Sequence, residues 1–156
     1  MVERVDPAKT GVKAGRVVGL LTGALAALSV LHTRQSVYAG VEPMLAALGV
    51  GGIPVAALFW GNVALAATAR YATGYVVGSL VGVLYDWLDR PSPAILAVVV
   101  LFVGCADGVL MALETRSVLF GAGFVLAWLL YVPVFVWLFD ADRADAAAHT
   151  RRARRL

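Results

Sequence analysis

The chain has 156 residues, 61% of them hydrophobic and only 15% charged. A soluble domain is nearer half apolar and a quarter charged, so this composition excludes an ordinary water-soluble globule and points into a membrane. The formal net charge of +3 comes mostly from the two ends, and on such a chain a basic terminus like RRARRL faces anionic lipid headgroups rather than nucleic acid.

The charges are segregated. Val17 to Thr33, Pro43 to Ala69, Pro91 to Ala106 and Ser117 to Phe139 hold no Lys, Arg, Asp or Glu. Most of these runs approach or exceed the roughly 20 residues that a helix needs to cross about 30 Å of hydrocarbon. Only helices and closed barrels satisfy their backbone in lipid, and the runs lack the polar–apolar alternation of a barrel strand. The expected fold is all-α, a polytopic integral membrane protein. It forms a single membrane domain over 1–156, a compact bundle of four transmembrane helices with both termini cytoplasmic.

In chain order, residues 1–13 form a basic tail and 14–32 the first span, closed by His32, Thr33 and Arg34. A basic start before an apolar run also opens a secretory signal. The glycine pattern described below gives this run a packing role, so it is read as retained. Residues 33–53 are an outer loop, whose short apolar patch at 44–48 between proline and glycine breaks is read as a surface helix. Residues 54–88 form one long tilted second span. A re-entrant pair turning near Gly74 is the alternative. Ser92 and Pro93 open the third span, 94–113, by capping and by a proline suited to the first turn. The short link through Glu114 and Arg116 makes it a hairpin with the fourth span, 117–139, where Pro133 introduces a kink. Residues 140–156 are a second basic tail.

Orientation supports the count. Four spans with a cytoplasmic N-terminus put Arg4, Lys9, Lys13, Arg16, Arg90, Arg143, Arg151, Arg152, Arg154 and Arg155 inside, against Arg34 and Arg116 outside. That distribution obeys the positive-inside rule. Tyr85, Trp87 and Trp137 then fall at the inner surface and Trp60 at the outer one, as interfacial aromatics do.

Small residues recur every four positions: Gly11, Gly15, Gly19, Gly23 and Ala27; Gly74, Gly78 and Gly82; Gly104, Gly108 and Ala112. Lipid is as apolar as leucine, so membrane helices associate by close contact, which such rows permit. Whether the partner helix belongs to the same chain, to a second copy or to another membrane protein is open at this level.

Two charges lie deep. Arg70 is one turn before Gly74 and ten residues from Trp60, and Asp107 is seven residues from Glu114. At 1.5 Å per residue those depths are about 15 and 10 Å, within mutual reach of the side chains. A central arginine costs about 2.5–3.5 kcal/mol to insert, so the second span depends on its neighbours. Asn62, Tyr71 and Thr73 extend the polar character of that span. The pair is either a register pin or the lining of an ion or solute pathway with Arg70 as attractor.

No HExxH, GxSxG, phosphate-binding glycine loop or dense acidic metal cluster occurs. Cys105 is the sole cysteine and cannot form an internal disulfide. The expected protein is non-catalytic, without cofactor or metal, and works as a structural or accessory subunit in the cell membrane. Its partners are the lipid bilayer and itself or another membrane protein. A small channel or transporter using Arg70 and Asp107 is the alternative.

Overall fold

The computed structural model describes residues 6–49 and 54–153, with side chains to residue 147. Arg4, Arg154 and Arg155 of the inner charge set lie outside the described residues, as do the side chains of Arg151 and Arg152. Among the described residues the chain is all helical, with no strand: α1 Pro7–His32, α2 Arg34–Ala47, α3 Val55–Trp87, α4 Pro93–Thr115, α5 Val118–Leu129 and α6 Tyr131–Ala153.

Several boundaries differ from the sequence expectation. The first helix starts at Pro7 rather than residue 14, because Asp6 caps it (its carboxylate accepts from the Ala8 amide at 2.9 Å) and Pro7 suits its first turn. Much of the expected outer loop is helix, since α2 begins directly after Thr33. The second apolar stretch is one uninterrupted 33-residue helix, which removes the re-entrant alternative. The final stretch divides at Leu130 into α5 and α6. Pro133 has no amide for the Leu129 carbonyl, so the break falls in the preceding turn. Helix also continues into the expected tail, to Ala153.

Among the described residues three helices, not the expected four, are long and apolar enough to cross a membrane: α1, α4 and the α5–α6 run over Val118–Ala147. Length does not disqualify α3. Arg70, Asn62 and its threonines, tyrosines and glycines dilute its apolar character.

Two tight helix pairs organise the molecule. The most extensive contact joins α1 to α3, and the next joins α4 to α5. The first pair is antiparallel: Gly11 lies against Gly78 and Gly82, and Gly23 against Ala67. A Cβ on Gly78 would sit 2.5 Å from the Gly15 Cα and 2.7 Å from the Gly11 carbonyl oxygen. Both are backbone atoms, so this approach requires a bare Cα. In the second pair Gly104 faces Trp128, and Gly108 faces Gly121 and Val125. Arg116 in the left-handed conformation and extended Ser117 turn α4 into α5. Contacts between α3 and α4 are sparse.

An aromatic ladder on α6 seals the two pairs. Tyr131, Phe135 and Phe139, one turn apart, are buried and stack at centroid separations of 5.7 and 5.9 Å, with Tyr85 edge-on to the last two. Tyr131 donates to the Gly78 carbonyl at 2.8 Å, tying α6 to α3 at the glycine contact. Lys13 pairs with Asp142 at 2.8 Å, and the Thr10 hydroxyl donates to the same carboxylate at 3.0 Å. The start of α1 and the middle of α6 therefore share one end of the bundle, called the lower end below. Thr33, the start of α3 and Thr115 lie at the upper end.

Candidate functional site

Arg70 occupies the middle of α3, about 23 Å from Val55 and 26 Å from Trp87 at the helical rise. It bridges the sparse α3–α4 contact. Its Nη1 donates to Asp107 Oδ1, and its Nη2 lies 2.7 Å from the Met111 sulfur one turn along α4. Phe124 of α5 lies beneath the guanidinium, 5.1 Å from ring centroid to carbon, in cation–π geometry. Asp107 uses its second oxygen as well: the Trp128 indole N–H donates to Oδ2 at 3.0 Å. Arg70 and Asp107 side chains are 24% and 14% exposed, so the pair is largely withdrawn from its surroundings.

This cluster joins the two helix pairs through charge-assisted bonds in apolar surroundings, where leaving either partner alone is costly. Asp107 neutralises Arg70, so the site is no net attractor for an anion. The other polar residues of α3 stand apart. Thr73 is exposed and donates to the Ala69 carbonyl of its own helix. Tyr71 is exposed, and its backbone packs on Gly19. Asn62 is two turns above Arg70, in a different environment.

That environment is an open-sided pocket of about 270 Å³ at the upper end, whose polar lining is Ser29 of α1, Thr33 just after it, exposed Asn62 of α3, and exposed Glu114 with Thr115 of α4. A smaller apolar cavity of about 150 Å³ lies between α2 and α3 around Val41, Leu58 and Phe59. Neither is lined by Arg70 or Asp107. Buried Met111 separates the larger one from the ion pair, since Asp107, Met111 and Thr115 succeed one another by single turns of α4.

Sequence reasoning overlooked Met111, Phe124 and Trp128. Trp128 carried a usable signal. An indole in the middle of an apolar segment, away from either interface, needs a hydrogen-bond acceptor. Among the described residues no three His, Cys, Asp or Glu side chains gather as a metal site.

Comparison with protein families, with curated proteins and with solved structures finds no match in any of the three.

Proposed function

We propose that this is a non-catalytic, four-crossing membrane protein with both termini on the cytoplasmic side of the cell membrane, serving as a structural or accessory subunit. The fourth crossing is α3. Its backbone contact with α1, from Gly82 against Pro7 to Ala67 against Gly23, holds it beside a helix that is itself apolar enough to span. Pairing with Asp107 offsets the insertion cost of Arg70. Lys9, Lys13, Arg16, Arg90 and Arg143 on lower-end segments favour that end as cytoplasmic.

The observation that carries the subunit reading is that protein groups meet the charge pair: Met111 and Phe124 contact the Arg70 guanidinium and Trp128 donates to Asp107. The glycine rows are spent within the chain, so another membrane protein would meet the outer face of α4, where Val98, Phe102 and Leu113 are exposed. Transport is the second reading, favoured by the polar cavity one turn above Met111.

One experiment separates them. Arg70→Cys in a Cys105→Ala background is treated in intact membranes with a charged, membrane-impermeant thiol reagent. Protection from both sides, with labelling recovered on unfolding, supports the subunit; rapid labelling supports transport.

A further inference from the structure

We infer that the exposed face of α3 is a seam for a second copy of this chain, with α3 parallel to its own copy about a two-fold axis along the membrane normal. The inference rests on α3 being the fourth crossing. The depth of the face follows from α1: Ala67 and Tyr71 lie against Gly23 and Gly19, inside the charge-free run of that helix. There α3 exposes Thr68, Tyr71, Ala72, Thr73 and Tyr75. The other outward faces are unlike it: α4 exposes Leu101, Phe102, Val109 and Leu110, and α5 exposes Leu126. Hydroxyl groups and small side chains gain little from lipid, and membrane helices place them against one another. By that rule α4 and α5 face lipid, and α3 faces protein.

The exposed residues also have an order. Leu58, Gly61, Leu65, Thr68, Ala72 and Val76 succeed one another at steps of three or four, and all are exposed. Such spacing makes the seam of a left-handed helix pair crossing at about 20°. Bulk and gaps alternate along it, with Gly61 between two leucines and the short Thr68 and Ala72 between Leu65 and Val76. A Cβ on Gly61 would meet nothing within 4 Å, whereas Gly74 and Gly78 are pressed against α1. The intrachain partner of α3 therefore leaves this face free.

Self-matching selects a second copy as the occupant. Copies inserted the same way are related by an axis along the membrane normal, so each residue near that axis faces its own counterpart. A charge there would meet its like. The row carries none, because Arg70, the sole charge between Val55 and Tyr85, turns away to Asp107. The Thr68 hydroxyl both donates and accepts, which suits a bond to its own counterpart. The wholly apolar outer face of α4 is left to lipid or to another membrane protein.

The test uses the full chain in native membranes, with single cysteines in a Cys105→Ala background oxidised by copper phenanthroline, which enters the bilayer. Leu65→Cys, Thr68→Cys, Ala72→Cys and Val76→Cys should form disulfide-linked dimers. The controls are Ala64→Cys and Thr73→Cys, each about 100° round the helix from its neighbour in the row, and Phe102→Cys on α4. Dimers in the row should form at least about fivefold faster than in the controls, since held neighbours react at high effective concentration. Ala72→Trp, which puts bulk on the seam, should remove most of the Leu65→Cys dimer. Equal rates at all positions, fastest dimers at Phe102→Cys, or an unchanged Leu65→Cys dimer beside Ala72→Trp each overturn the seam. A membrane-impermeant maleimide tests the crossing in the same samples. Rapid labelling of the α3 cysteines from either side would sink the crossing and the seam together, whereas protected cysteines that form no dimers sink the seam alone.

Discussion

Replacing Asp107 by alanine tests what the charge pair does. The substitution removes the acceptor of Arg70 Nη1 and of the Trp128 indole together, leaving a guanidinium and an N–H in apolar surroundings. Breaking a buried pair from one side costs about 3–5 kcal/mol. Arg70 is 24% exposed and its long side chain can lean toward a polar boundary, so the lower end, about 3 kcal/mol, is expected. Asp107→Asn keeps an acceptor for Trp128 while losing the charge, and should cost about half as much. The double variant Arg70→Met, Asp107→Leu removes both charges and should recover most of the loss, since a well-packed apolar replacement of a buried pair is often neutral or better. Stability of each variant against wild type is read by reversible unfolding from mixed micelles, followed by tryptophan fluorescence. A double variant no more stable than Asp107→Ala would refute the reasoning. The penalty would then come from lost packing rather than from a stranded arginine.

Three further outcomes follow from the geometry. Gly78→Ala puts a methyl carbon 2.5 Å from the Gly15 Cα, so α1 and α3 must part; a loss of about 1–3 kcal/mol is expected in the same unfolding assay. Tyr131→Phe removes the bond to the Gly78 carbonyl and should cost about 1 kcal/mol, measured likewise. At the lower end, beyond the apolar segment that closes at Phe139, Asp142 titrates below the usual aspartate value of about 3.9. The hydrogen bond from Lys13 is the largest cause; burial opposes it, and Thr10 and the Lys13 charge assist. A lowered folded-state value contributes stability above the unfolded value and loses it as pH falls through the folded one. The difference between wild type and Asp142→Asn, under about 1 kcal/mol for so exposed a pair, should therefore be constant from pH 5 to 8 and shrink below about pH 4. Unfolding titrations at pH 7 and pH 3 check this.

The helical membrane class was legible because it is a one-dimensional property. Charge-free runs such as Ser117 to Phe139 partition into lipid whatever else they touch, and lipid forces the backbone into helices. Arg70 and Asp107 were conspicuous for the same reason: ionisable groups in apolar surroundings stand out by composition alone. The early start of α1 was written in Asp6 and Pro7, a local capping signal.

Tertiary structure decided who meets whom. A four-residue glycine spacing permits close approach but carries no address; antiparallel docking set Gly11 against Gly82, and the same rows could have served a second copy. Met111, Phe124 and Trp128 join Arg70 and Asp107 only because the α4–α5 turn at Arg116 sets these faces together. Asn62, Tyr71 and Thr73 share a helix with Arg70 but not its environment, since successive residues turn by about 100° and point to different neighbours. The upper cavity likewise draws its oxygens from three separate helices. Short-range sequence sets solvent and helix, whereas a site assembled across the bundle depends on contacts between residues far apart in the chain.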